Sequence, residues 1–162
     1  MWIILDNKNA MSCLPKVGSH SLRSIIKSPP VDNSEVLDIP VRVGWVRHWQ
    51  KRLTSAYSFY RALVESGSSI GDIPVDTYQA FIDHTLNTKG DHWDSQVELL
   101  TYNGVFLPTI CHRFEDINEI WGQYRTGFIP HINGCVHETV PEYREDELKS
   151  KYKLDEILWS GL

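Results

Sequence analysis

The hydrophobic period of the chain changes at residues 46–48, and this change constrains the fold more than any other feature. Before it, Val41, Val43 and Trp45 alternate with polar or small residues, as in a half-buried strand. After it, apolar residues recur at helical spacing: Trp49, Leu53, Ala56, Tyr57, Tyr60, Leu63 and Val64. A strand that runs straight into a long amphipathic helix is one unit of an α/β fold.

The same alternation of strands and helices extends along the chain. Apolar runs predict strands at residues 1–5, 10–14, 39–46 and within 104–114, and helical spacing predicts helices at 19–27, 48–64, 75–87, 115–124 and, in two pieces, 142–159. Asp76 or Thr77 is the expected N-cap of the helix at 75–87. Because alternating strands and helices imply parallel pairing, the sequence predicts a layered α/β fold with a small parallel sheet flanked by helices.

Length and composition set the outer bounds. The 162 residues suffice for one domain with its own core, so residues 1–162 are treated as a single domain. No apolar run is long enough to span a bilayer, and the first residues lack the basic region of a signal peptide. Cys13, Cys111 and Cys135 are few and far apart, which predicts no disulfide framework and a reducing, cytoplasmic location.

Basic residues are concentrated in one part of an otherwise acidic chain. The formal net charge is −5, yet residues 16–61 hold eight of the sixteen basic residues against three of the twenty-one acidic ones, a local charge of +5. The acidic total argues against a nucleic-acid partner. A local basic zone instead suits a small anionic ligand.

The loop "LPKVGSHSL" at residues 14–22 falls where a strand ends and a helix begins. In parallel α/β sheets, ligands bind beyond the carboxyl ends of the strands. Gly18 permits close backbone approach, Ser19 and Ser21 offer hydroxyl donors, and Lys16 adds a full charge. The lysine precedes the glycine, so this is not the Walker pattern of nucleoside-triphosphate-binding loops. The loop is either an anion cradle or an ordinary capped turn.

A second constellation follows the next strand. Arg47 stands at the end of that strand, and Ser55 lies two turns into the following helix. An arginine fork with a nearby hydroxyl is a good receptor for a second phosphate. The alternative is that Arg47 caps the helix and Ser55 is a small packing residue. Two candidate anion sites at neighbouring strand–helix junctions are stronger evidence for an anionic ligand than one site alone.

These residues resemble the sulfotransferases. "LPKVGSHSLR" is similar to their 5′-phosphosulfate-binding loop, and "VRHWQKRLTSAY" is similar to their 3′-phosphate-binding segment. Three further segments resemble, in order, motifs of the membrane-type carbohydrate sulfotransferases: "GDHWDSQVELL", "TICHRFEDINEIW" and "IPHINGCVHETVPEY". The likeness covers nearly the whole chain, although the chain is much shorter than the usual member. It implies a three-layer, P-loop-like fold.

The resemblance also implies a reaction and a set of site residues. The donor is 3′-phosphoadenosine 5′-phosphosulfate (PAPS), and the acceptor is a hydroxyl, expected on a carbohydrate. Lys16 is expected to contact the transferring sulfuryl group. The remaining expected donor contacts are Val17, Gly18, Ser19, His20 and Ser21 around the 5′ side, Arg47 and Ser55 at the 3′-phosphate, and Asn133 closing the nucleotide site.

The reaction needs a general base for the acceptor hydroxyl. His92 is the first candidate because a histidine needs little pKa adjustment for this role, and Glu35 is the second. No metal is expected. Cys111 and His112 are adjacent on a strand and so point to opposite faces, which makes a shared metal implausible.

Two readings of the function stay open. The first is a minimal sulfotransferase; the second is a non-catalytic nucleotide-binding or interaction protein that keeps the fold. Only twenty-three positions separate Lys16 from Ile39, which leaves little room for a substrate-binding insertion. A small acceptor, an open cleft for a polymer, or a partner chain in a homo-oligomer would fit so short a site. Trp49, Tyr57 and Tyr60 form either a sugar-stacking face or core.

Overall fold

The computed structural model describes residues 1–124 and 142–162. The strands are β1 (Trp2–Ile4), β2 (Asn9–Ser12), β3 (Val41–Val46), β4 (Thr101–Tyr102), β5 (Val105–Phe106) and β6 (Ile110–Arg113). The helices are α1 (Ser19–Ile25), α2 (Trp49–Glu65), α3 (Tyr78–Asn87), α4 (Gln96–Leu99), α5 (Ile117–Ile120), α6 (Glu145–Lys151) and α7 (Lys153–Ser160), with 3₁₀ turns at Asn33–Val36, Phe114–Asp116 and Trp121–Gln123. The α/β class is confirmed.

Four strands form the main sheet in the order β1-β2-β3-β6. The pairs β2–β3 and β3–β6 are parallel, with Met11 opposite Val43 and Trp45 opposite His112. The expectation that the sheet is wholly parallel is wrong for β1, which runs antiparallel to β2 with Trp2 opposite Ser12. The sheet is therefore small and mixed.

The turn at Asp6 explains this difference. The Asp6 carboxylate accepts hydrogen bonds from the backbone N–H groups of Lys8, at 2.7 Å, and Asn9, at 2.9 Å. The chain therefore reverses within a few residues. Parallel strands need a crossover of a dozen residues or more, so two strands joined by this turn pair antiparallel.

The single strand expected within residues 104–114 is divided into β5 and β6. β5 pairs with β4 in a separate two-stranded hairpin, whose turn residues Asn103 and Gly104 have φ of 49° and 77°. Positive φ at both central positions is what a tight hairpin turn requires, and Asn-Gly supplies it at low cost. This signal was present in the sequence and points to the hairpin.

The long helices follow the sequence, whereas the helix expected at 115–124 is the short α5 between two 3₁₀ turns, and α4 was not predicted. Thr77 is the N-cap of α3, and its hydroxyl accepts a hydrogen bond from Ala80 N at 3.1 Å. The core has two parts. One joins β1, β2 and β3 to α1 and the segments around β4, and the other packs α2 against α3 and α6. In the second, Trp49 stacks on Tyr152 with ring centroids 5.4 Å apart.

This topology determines where a ligand site can form. Because β2, β3 and β6 are parallel neighbours, their carboxyl ends meet at one edge of the sheet. The segments that leave this edge are residues 13–18, residues 47–48 and the turn that starts at Phe114. Among residues 1–124 and 142–162, none of the helices has the length and apolar character needed to cross a bilayer.

Candidate functional site

The loop between β2 and α1 is held in a shape that needs glycine. Lys16 and Gly18 have φ of 64° and 69°, in the left-handed region. A Cβ atom on Gly18 would lie 2.4 Å from Cε2 of Phe114, closer than any real contact. The loop backbone therefore lies directly on the Phe114 ring, and the close backbone approach expected at Gly18 is made to this side chain.

The loop side chains divide into two groups. Val17 is fully buried in the core, and its N–H donates to Leu14 O at 3.3 Å. Ser19 and Ser21 are also buried, whereas Lys16 is half-buried and His20 is exposed. Lys16 and His20 are thus the loop side chains that reach the surface.

Arg47 joins the two predicted halves of the site. Its Nη1 donates to the backbone oxygen of Lys16 at 3.0 Å, and its guanidinium carbon lies 5.6 Å from the centroid of the Phe114 ring. The loop after β2 and the segment after β3 are therefore in direct contact. Both rest on Phe114, the first residue after β6.

Ser55 is buried, and two neighbours on the same face of α2 show what that face packs against. Arg52 and Phe59 lie three residues before and four residues after it, so the three share one face of the helix. Arg52 Nε donates to Pro15 O at 3.3 Å, and the Lys16 ammonium lies 3.4 Å from the Phe59 ring centroid. Ser55 therefore faces the Lys16 loop. Its burial also suits a packing residue, so both interpretations of this hydroxyl stand.

His92 lies beside Lys16 in an aromatic setting. Its ring stacks on Phe59 with centroids 5.6 Å apart and lies 5.2 Å from the ring of Tyr60. Lys16 and His92 thus contact the same phenylalanine. The structure brings together the residue expected at the sulfuryl group and the first candidate for the base.

The surroundings of His92 favour its neutral form. Burial lowers the pKa of the imidazole, since the charged form loses hydration, and the positive charges of Lys16 and Arg52 lower it further. Asp91 opposes this effect through a 2.8 Å contact between its carboxylate and Nδ1. With Nδ1–H donating to Asp91, the lone pair of Nε2 is available to accept a proton.

Glu35 occupies a different setting. Its carboxylate accepts a hydrogen bond from Asp32 N at 3.0 Å and completes the capping box of the 3₁₀ turn at Asn33–Val36. Capping this turn is a structural role for the Glu35 side chain, and it requires no part in catalysis. Of the two candidate bases, His92 is therefore the one that the geometry links to Lys16.

Four other residues were singled out from the sequence: Asn133, Cys135, His112 and Cys111. Asn133 lies outside the described residues, as does Cys135. His112 Nε2 makes a 2.7 Å contact with the Tyr124 hydroxyl. Burial raises the pKa of the Cys111 thiol to about 11. In the described part of the chain, no three His, Cys, Asp or Glu side chains are grouped as metal ligands.

Sequence reasoning missed Arg52. This side chain is 2% exposed, and its guanidinium donates to three backbone oxygens: Pro15 at 3.3 Å, Asp91 at 2.6 Å and Asp94 at 2.6 Å. Arg52 therefore ties the Lys16 loop and the His92 segment to α2. A signal was available, because position 52 falls on the apolar stripe with Trp49, Leu53 and Ala56.

Gln96 and Asp155 were also missed. The Gln96 amide is completely buried; it accepts from Arg47 N at 2.9 Å and donates to Arg47 O at 2.7 Å. Asp155, on α7, is 1% exposed and accepts hydrogen bonds from Ser95 and from Gln96. Gln96 does lie in the segment "GDHWDSQVELL" singled out by resemblance, whereas Asp155 has no local signal. The partners joined by these bonds are 49 and 59 residues apart in the chain.

Comparison with known proteins gives no relative. No family model matches the chain, and neither the curated proteins nor the solved structures contain a match.

Proposed function

We propose that this protein is a sulfotransferase that moves the sulfuryl group of PAPS to a hydroxyl acceptor, with a carbohydrate as the expected acceptor. The observation that carries the proposal is the 3.0 Å hydrogen bond from Arg47 Nη1 to Lys16 O. It puts the loop that resembles a 5′-phosphosulfate site against the segment that resembles a 3′-phosphate site. One bound nucleotide can then touch both.

In this proposal the donor lies across the edge of the sheet. Residues 16–21 hold its 5′-phosphosulfate, and Lys16 supplies the charge. Arg47 and Ser55 hold its 3′-phosphate, since Ser55 faces the same loop that Arg47 contacts. The resemblance adds Asn133 as a further donor contact.

The chemistry is an in-line transfer with a loose transition state, by analogy with phosphoryl transfer. A bond forms between the acceptor oxygen and sulfur while the bond from sulfur to the 5′-phosphate oxygen breaks, and the bisphosphate leaves with that electron pair. Lys16 stabilises the charge that grows on the leaving oxygen. His92 Nε2 takes the acceptor proton, with Asp91 holding the imidazole through Nδ1. Since Lys16 supplies the positive charge, the step needs no metal.

The acceptor is proposed to lie against Phe59 and Tyr60, which are half-buried and flank His92. A ring with an apolar face, such as a pyranose, can stack there and present a hydroxyl to the imidazole. Of the aromatic face anticipated from the sequence, Trp49 is packed in the core and Tyr57 packs on Tyr78 and Phe81.

The parallel arrangement of β2, β3 and β6 supports a P-loop-like, three-layer fold for this enzyme. The cysteine usage supports a cytoplasmic location.

A second candidate function is that of a non-catalytic nucleotide-binding protein. The short connection between Lys16 and Ile39 favours it, because it leaves little chain for binding an acceptor. Both candidates predict nucleotide binding, and only the first predicts turnover. Sulfation of saccharide acceptors with isotopically labelled PAPS separates them.

The proposal is tested by calorimetric titration of adenosine 3′,5′-bisphosphate, with 5′-AMP as the comparison ligand. We expect strong preference for the bisphosphate and its loss in Arg47→Ala, while Lys16→Ala weakens both ligands. Lys27→Ala is the matched control, since Lys27 is an exposed cation of the same basic zone. If the wild-type protein binds neither ligand, or if Lys16→Ala and Arg47→Ala leave affinity unchanged, the site assignment is wrong.

A further inference from the structure

Gln96 holds the backbone of Arg47 where no secondary structure does so. Arg47 follows the last residue of β3 and precedes the start of α2 at Trp49. The Gln96 side-chain amide closes a pair of hydrogen bonds with this residue, accepting from its N–H at 2.9 Å and donating to its carbonyl at 2.7 Å. This two-point contact fixes the direction in which the Arg47 side chain leaves the backbone.

Asp155 determines which way the Gln96 amide points. Its carboxylate accepts hydrogen bonds from Gln96 N at 2.9 Å, Val97 N at 3.0 Å, Ser95 Oγ at 2.6 Å and Gln96 Nε2 at 3.3 Å. A carboxylate can only accept, so the Nε2 side of the amide must face it. The Oε1 side is then left for Arg47 N.

The contacts continue from Arg47 to the Lys16 loop. Arg47 Nη1 donates to Lys16 O at 3.0 Å, so the guanidinium is placed between a fixed backbone and the loop. The fork geometry of arginine recognises phosphate only when its N–H groups are correctly aimed. A change that frees the Arg47 backbone should therefore affect a ligand group bound by Arg47 more than one bound by Lys16.

We propose that Gln96, oriented by Asp155, is the positioning residue for Arg47 and sets the preference of this protein for nucleotides that carry a 3′-phosphate. The inference rests on the proposed function, because it assumes that Arg47 binds that phosphate. It adds that recognition of the 3′-phosphate depends on α7, although α7 itself does not touch the nucleotide in this arrangement.

The test compares the dissociation constants of adenosine 3′,5′-bisphosphate and 5′-AMP, measured by calorimetry at one fixed salt concentration. Gln96→Met keeps the side-chain length and removes both bonds to Arg47. We expect the preference for the bisphosphate to fall about tenfold, with 5′-AMP affinity nearly unchanged. Asp155→Asn should shift the preference in the same direction, since it no longer dictates the amide orientation.

Two further variants separate positioning from general destabilisation. Thr85→Val removes a buried hydrogen bond of similar kind, from Thr85 Oγ1 to Ile82 O at 2.9 Å, in a helix away from Arg47. It should lower the melting temperature and leave the preference intact. Ser95→Ala removes one of the four bonds to Asp155 and serves as the milder variant where Gln96→Met does not fold; it should lower the preference about twofold.

The outcomes distinguish this inference from the function on which it rests. A wild-type protein without preference for the bisphosphate overturns the proposed function and the inference with it. A wild-type preference that survives in folded Gln96→Met and Ser95→Ala proteins overturns the inference alone. Equal loss of affinity for both nucleotides overturns it as well, because that result marks Gln96 as a structural residue.

Discussion

The two halves of the candidate site are built in different ways. The Arg47 half is fixed by hydrogen bonds from Gln96 and, behind it, by the buried carboxylate of Asp155. The Lys16 half rests on aromatic rings, with the ammonium over Phe59 and His92 stacked on the same ring. The backbones of both halves are held by hydrogen bonds, and the halves differ in their side chains, since Lys16 and His92 pack on an aromatic ring.

The difference fits the tasks that we propose for the two halves. Recognition of a phosphate gains from donors that are already aimed, because ordering them on binding costs affinity. The transfer step gains from a cation placed near the oxygen on which charge grows. A cation–π contact is worth about 0.5–1 kcal/mol at an exposed site and about 2 kcal/mol when desolvated, so the half-buried Lys16 gives up an amount within that range when it leaves Phe59.

Arg52 joins the Lys16 loop and the His92 segment to α2, and its loss should have the largest effect on the molecule. Arg52→Met leaves the oxygens of Pro15, Asp91 and Asp94 without their charged donor. We expect the free energy of unfolding to fall by about 3–5 kcal/mol in chemical denaturation. Lys51→Met, at an exposed neighbour that pairs with Glu115 at 3.5 Å, should cost less than about 1 kcal/mol. Equal losses in the two variants would contradict the role given to Arg52.

Lys16→Ala should separate binding from reaction. Turnover of labelled PAPS should fall about 10²–10³-fold, because the charge on the leaving oxygen loses its stabilising ammonium. Affinity for the bisphosphate product should fall much less, since the Arg47 half stays intact. Lys27→Ala is the control. A variant that loses affinity and turnover in equal measure would mean that the two halves are not distinct.

His92→Gln should lower turnover about 10²-fold, since a positioned base is lost. The pH profile gives the sharper test. Burial lowers the pKa of His92 below the ordinary histidine value of 6.5, and only the neutral imidazole can accept the proton. The rate should therefore be full above pH 6.5 and fall only as the pH drops through this lowered pKa.

Asp91→Asn then shows whether His92 is the group that titrates. The Asp91 carboxylate raises the pKa of His92, so its removal should move the acid limb of the rate profile to still lower pH. The His92 ring protons, followed by NMR, should shift in parallel. An acid limb that stays in place would assign the base to another residue.

Phe59→Leu should have the smallest effect and a definite sign. The Lys16 ammonium must leave the ring face to reach the oxygens of the donor, so removing the ring should tighten bisphosphate binding about two- to fivefold. Calorimetry measures this directly. Weaker binding would show that Lys16 meets the donor from its place on Phe59.

The fold was largely readable from the sequence because its signals are local. The period change at 46–48 located β3 and α2, and Thr77 marked the start of α3. Two of the departures had local signals, the turn at Asp6 and the Asn103-Gly104 pair. The short helix α4 and the strand β4 were not predicted. The length of the connection between β1 and β2 determined that they pair antiparallel, although strands and helices alternate along the chain.

The site was readable only in part. Lys16 and Arg47 follow the ends of neighbouring parallel strands, so topology alone predicts that they meet. The side chains that support them come from elsewhere: Gln96 from α4 and Asp155 from α7. Hydrogen bonds between residues 49 and 59 positions apart leave no period or motif in a single sequence. Buried polar residues of this kind are found only when the packing is known.

The distance in the chain between Gln96 and Asp155 has a consequence for biosynthesis. Chains fold from the N-terminus as they leave the ribosome. Arg47 and Gln96 emerge well before Asp155, which follows Gln96 by 59 residues. Until that carboxylate emerges, only the Arg47 backbone orients the Gln96 amide, so the support of Arg47 is incomplete in the nascent protein. The proposed nucleotide selectivity would therefore be acquired only after residue 155 has been synthesised, later than the strands β1 to β6.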